Sequence, residues 1–107
     1  MEVACRKIMK VLILGFDNYI ELDAAMQKLI EENQYYLFYV MVTGEGLAKE
    51  WAENNGAPLY WLKEPTLDKI AYYTDYIILK LSPQTPQWHK NLMMKLKNAG
   101  KHGTVLR

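Results

Sequence analysis

Short apolar runs alternate with segments of helical period along almost the whole chain, and this alternation restricts the fold more than any single motif. Met9-Lys10-Val11-Leu12-Ile13-Leu14 ends at Gly15 and reads as a buried parallel strand. Asn18 and Glu21 then stand at capping-box spacing. Leu22, Ala25, Met26, Leu29 and Ile30 follow on one helical face, which turns Glu21, Asp23, Gln27, Lys28, Glu31 and Glu32 to water. Leu37 to Val42 is a second strand, and Thr43-Gly44-Glu45-Gly46 turns into a helix packing through Leu47, Ala48, Trp51 and Ala52, stopped by Gly56. Pro58 to Leu62 is a short third strand, and Pro65-Thr66 opens a helical segment using Leu67, Ile70 and Ala71. Asp75 to Leu79 is the fourth strand. Thr85 and Pro86 supply an N-cap and a first-turn proline for a helix packing through Trp88, Leu92, Leu96 and Ala99, before Gly100 and a closing strand over Thr104 to Leu106.

Strands separated by helices in this way require crossover connections and a sheet covered on both faces. The expectation is an α/β, three-layer Rossmann-like parallel sheet of about five strands in the order 3-2-1-4-5. A chain of 107 residues, 50% hydrophobic, supports one such core. Residues 9 to 107 form that domain, and residues 1 to 8 are set apart as an N-terminal extension.

Composition excludes several classes. No apolar run reaches the ~20 residues of a membrane helix, and nothing near the start resembles a secretory signal. The single Cys5 cannot close an internal disulfide, and no Cys/His cluster has metal-ligand spacing, so a cytoplasmic protein with no metal and no cofactor is expected. A net charge of +1 argues against a nucleic-acid or membrane partner. The charges are nevertheless uneven, because no carboxylate follows Asp75 while Lys80, Lys90, Lys95, Lys97, Lys101 and Arg107 do. That run is either the solvated face of the last helix or an anion-attracting surface.

In an open parallel sheet, ligands bind beyond the carboxyl ends of the strands where the strand order reverses. Three loops are thereby nominated, and their chemistry supplies ligand-binding candidates at Gly15, Phe16, Asp17, Asn18, Thr43, Gly44, Glu45, Gly46, Ser82 and Thr85. The first loop lacks the Gly-x-Gly-x-x-Gly of dinucleotide binders. Asn18 reads either as a helix cap or as a ligand contact, and Phe16 needs core or ligand to cover it. Thr43-Gly44-Glu45-Gly46 brings flexible backbone to a helix N-terminus, which favours an anion. Glu45 either satisfies the positive helix end itself or accepts from ribose hydroxyls. In the third loop two prolines stiffen a segment whose Thr85 is expected to cap the following helix. His89 has no nearby Asp, Cys or Ser in sequence and is expected to face solvent. Trp51, Trp61 and Trp88 are expected to pack in the core or on the sheet faces.

Taken together, these stretches resemble the SLOG superfamily of small Rossmann-like proteins, related to the DNA-processing and cytokinin-activating LOG proteins, and most closely its small bacterial and phage members. The features that carry the resemblance are Met9 to Gly15, the turn and helix from Thr43 through Leu47-Ala48-Lys49-Glu50-Trp51-Ala52 to Gly56, and Asp75 to Leu79. The resemblance implies binding of a nucleotide or nucleotide-derived molecule, with Gly15, Gly44 and Glu45 at the matching positions. LOG-type hydrolysis also needs a catalytic arginine, and no arginine lies between Arg6 and Arg107. The leading expectation is therefore a nucleotide-sensing domain acting through ligand-dependent association, with a homodimer as its partner state. The alternatives are an N-glycosidic hydrolase using Glu45 as its catalytic residue, and a ligand-free interaction module working through its aromatic surface and its last helix.

Overall fold

A computed structural model describes residues 7–107. The chain runs β1 (Lys7–Leu14), α1 (Tyr19–Glu32), β2 (Tyr36–Val42), α2 (Leu47–Asn55), β3 (Leu59–Trp61), α3 (Leu67–Tyr73), β4 (Tyr76–Lys80), α4 (Gln87–Asn98) and β5 (His102–Leu106). All five strands are parallel, in the order β3-β2-β1-β4-β5, as the alternation predicts. β1 begins earlier than the apolar run suggests. Lys7 pairs with Tyr36 and Ile8 with Leu37, so these two residues belong to the sheet and not to an extension; residues 1–6 of that extension lie outside the described residues.

The period of two along each strand sorts side chains into two cores. Met9, Val11 and Ile13 of β1 point with Val40, Val42 and Ile78 toward Leu22, Met26 and Leu29 of α1 and Trp51 of α2. Leu12, Met41, Ile77 and Leu79 point the other way, toward Ile70 of α3 and Leu92 and Leu96 of α4. Burying each large apolar side chain contributes about 1.5–3 kcal/mol, and the sheet is clad on both faces by this means.

Helix ends follow local chemistry with two corrections. Asn18 caps α1, its side-chain oxygen accepting from the Glu21 N–H at 3.1 Å, but Glu21 does not return the bond. Its carboxylate instead meets the Lys80 ammonium at 3.2 Å. Thr85 does not cap α4, whose cap position is Pro86. The Thr85 hydroxyl is engaged inside its own loop, accepting from the Ser82 N–H at 2.7 Å. Gly56 ends α2 in the left-handed region, φ +67°, as a C-terminal glycine should.

Candidate functional site

The strand order reverses between β1 and β4, but the crevice expected there is filled. Gly15, at φ +87°, brings its backbone against the Lys80 carbonyl so closely that a Cβ would overlap the oxygen. The Glu21–Lys80 ion pair then bridges the carboxyl end of β4 to the first turn of α1. Ser82 and Thr85 fold onto each other as a closed turn, with the Gln84 N–H donating to the Ser82 hydroxyl at 3.2 Å, and neither residue lines the cleft beyond β1 and β2.

The open space lies one strand over. A cleft of about 190 Å³ sits beyond the carboxyl ends of β1 and β2, floored by Leu12, Ile13, Met41 and Val42 and walled by two loops. Gly15 and Phe16 come from one, and Thr43, Gly44, Glu45 and Gly46 from the other. Six of the ten nominated positions are thus brought together. Asp17 and Asn18 stand apart on the α1 side, Asn18 being consumed as a cap. Phe16 is half-buried, packed on the α1/α2 core while one side faces the cleft.

The N-terminus of α2 opens on this space. Gly46 occupies its cap position, and no side chain bonds to the first-turn N–H groups. A side chain at Gly44 or Gly46 would meet nothing within 4 Å, so the approach to that backbone is unobstructed. Lys49, which no motif singles out, also lines the cleft. It is clamped between Glu53 at 2.9 Å and Glu45 at 3.3 Å, and hydrogen bonds to Glu53 first and Glu45 second raise its pKa above the ordinary lysine value. The i, i+4 spacing of Glu45, Lys49 and Glu53 was the legible signal. Glu45 itself is 84% exposed in its side chain, so this carboxylate sits at the rim and not in an apolar pocket.

Comparison with protein-family models, curated proteins and solved structures gave no match. Among the described residues no three of His, Cys, Asp and Glu gather as metal ligands, and no helix is long and apolar enough to cross a membrane.

Two residues of α4 exchange their expected places. His89 is only 8% exposed, while Trp88 is 43% exposed. The indole stands edge-on to the imidazole with ring centroids 4.2 Å apart, and so covers it. The His89 Nδ1 has no hydrogen-bond partner among the described residues. Burial favours the neutral ring and lowers the His89 pKa from 6.5. The unfolded chain then binds a proton that the folded chain refuses, so stability is full above pH 6.5 and falls as the pH drops from there toward the lowered folded value. Urea melts between pH 7.5 and 5.5 should show this loss, and His89→Phe should flatten it. An unchanged slope in the variant would assign the loss to other groups.

Of the remaining tryptophans, Trp51 is core as expected, but Trp61 on the edge strand β3 is 53% exposed.

Proposed function

We propose that this chain binds a nucleotide-derived ligand by its anionic end in the β1/β2 cleft and serves as a ligand-responsive domain. The observation that carries this reading is the glycine-capped N-terminus of α2, whose free N–H groups open on the cleft. Unpaired backbone donors and the helix dipole together favour an anion there, and Lys49 on the same wall offsets the negative charge of Glu45 and Glu53 that would otherwise oppose one. Size sharpens the ligand. At about 190 Å³ the cleft falls below the roughly 300–1,000 Å³ of pockets that engulf a whole drug-sized molecule. It suits a phosphate and part of a sugar, with the base lying outside, and Glu45 at the rim is available to ribose hydroxyls. Gly15, Gly44 and Glu45, the positions that carry the resemblance to SLOG proteins, all line this space. The rim position of Glu45, paired to Lys49, favours binding over catalysis.

Thermal denaturation with AMP, ADP-ribose and cyclic nucleotides tests the proposal. A ligand at 100 times its Kd adds about 2.7 kcal/mol, which raises the Tm of a domain this small by roughly 10 °C. Lys49→Met should weaken ligand binding about tenfold, because it leaves Glu45 and Glu53 without their counter-charge beside the cleft. No shift with any of these compounds contradicts the reading.

A further inference from the structure

Two depressions larger than the candidate site lie on either side of the edge strand β5. One, of about 290 Å³, is bounded by α1, β4 and β5 through Leu29, Ile78 and Leu106. The other, of about 410 Å³, lies between α4 and β5 and is walled by Met93, Met94 and Val105. Met94 is 52% exposed and Val105 41%, which is a large apolar surface to leave in water. The strand between them has one unpaired side among the described residues. The Leu81 N–H donates to the Leu106 carbonyl at 2.7 Å, so the backbone of Leu106 faces β4. By alternation along the strand, the N–H and C=O groups of Gly103 and Val105 face outward.

An unpaired backbone edge between two apolar grooves is the arrangement that accepts an added strand. The backbone of the newcomer pairs with the edge while its side chains drop alternately into either groove. Charge decides what the newcomer is. Lys97, Lys101 and His102 border the α4 groove, and Arg107 follows the strand. The Lys101 ammonium is turned to the end of α3, donating to the Tyr72 carbonyl at 2.8 Å and the Ala71 carbonyl at 3.2 Å, so the exposed charges nearest the edge are Lys97 and Arg107. Among the described residues, Glu32 is the one carboxylate that borders either groove, next to Lys28. Antiparallel pairing of two copies centred on Thr104 would set position 101 opposite Arg107 of the other chain, a like-charge pair that disfavours that register. The exposed Lys97 and Arg107 complement an acidic strand.

We propose that the β5 edge docks an extended, acidic segment of a partner protein, apolar at successive central positions so that both grooves are filled. The site is separate from the β1/β2 cleft, and neither proposal depends on the other. The probe is the blocked peptide Glu-Ile-Leu-Val-Leu-Asp-Glu, compared with a counterpart carrying Lys at each acidic position, each titrated into the full chain while backbone amide spectra are recorded. The acidic peptide should shift and protect the Gly103 and Val105 amides, with affinity falling as salt is raised. Val105→Pro should abolish binding, since it removes an outward N–H and spares the β4 ladder. The fold-neutral pair Lys97→Glu and Arg107→Glu should weaken binding roughly tenfold. Unmoved β5 amides, or equal binding of the basic peptide, would overturn the proposal. So would concentration-dependent self-association through these amides, which would give the edge to a second copy.

Discussion

Gly15→Ala is expected to destabilise the fold by about 2–5 kcal/mol, although it adds a single methyl group at a loop position. Two costs act together. A Cβ at a left-handed φ costs roughly 1–2 kcal/mol, and here φ is +87°. The methyl would also overlap the Lys80 carbonyl, a backbone atom with little freedom to retreat, and such overpacking costs roughly 1–3 kcal/mol. Gly100 separates the two terms. It has a similar φ of +76° but open space around its missing Cβ, so Gly100→Ala should show the conformational cost alone. Urea denaturation of both variants measures the difference. Equal losses would mean that β1 and β4 are not in such close contact at their carboxyl ends, and that the strand-reversal crevice is open after all. Native stabilities are commonly only about 5–15 kcal/mol, so the larger loss would be plain in expression as well as in melts.

Trp51→Ala should cost about 3–5 kcal/mol, the usual range for emptying a buried aromatic site. Its side chain is 1% exposed and sits where α1, α2 and the sheet meet. The indole also donates from Nε1 to the Asp23 carboxylate at 2.8 Å, tying α2 to α1 across the core's upper margin. Trp51→Phe keeps most of the volume and deletes that bond. It should cost about 1–2 kcal/mol, because a hydrogen bond to a charged group is worth more than a neutral one but Asp23 remains partly hydrated. If Trp51→Phe cost as much as Trp51→Ala, the bond and not the packing would dominate. Because α2 carries the candidate anion site, both variants should also loosen that site, and ligand affinity should fall with stability.

The strands were legible because β1, β2 and β4 are buried on both faces and so read as unbroken apolar runs, with Gly15 and Gly56 marking stops. Parallel pairing followed from helices too long to be hairpin turns. The phase of α4 was not legible. Trp88 and His89 lie four and three residues before Leu92, so both fit a stripe through Leu92 and Leu96, and hydropathy selects the tryptophan. Packing selects the smaller imidazole and uses the indole as its cover. The helical period alone turns Asp23 to solvent, since its partner Trp51 comes from another helix.

The candidate site was legible by loop and not by crevice. The switch-point rule for open parallel sheets points to the gap between β1 and β4, and glycine at position 15 is compatible with ligand approach there. The same glycine serves to let Lys80 come close, and Glu21 adds an ion pair across the gap. Both contacts join residues far apart in sequence, which no local pattern reveals. What remains open is the β1/β2 side, where Thr43 to Gly46 meets Gly15 and Phe16.

Backbone amide spectra of the chain titrated with ADP-ribose test this placement most directly. The account predicts saturable shifts at Gly44, Gly46, Leu47 and Ala48, with the Ser82 and Thr85 amides unmoved. Shifts centred on Ser82 and Thr85, or none at any of these residues with any nucleotide tried, would contradict it.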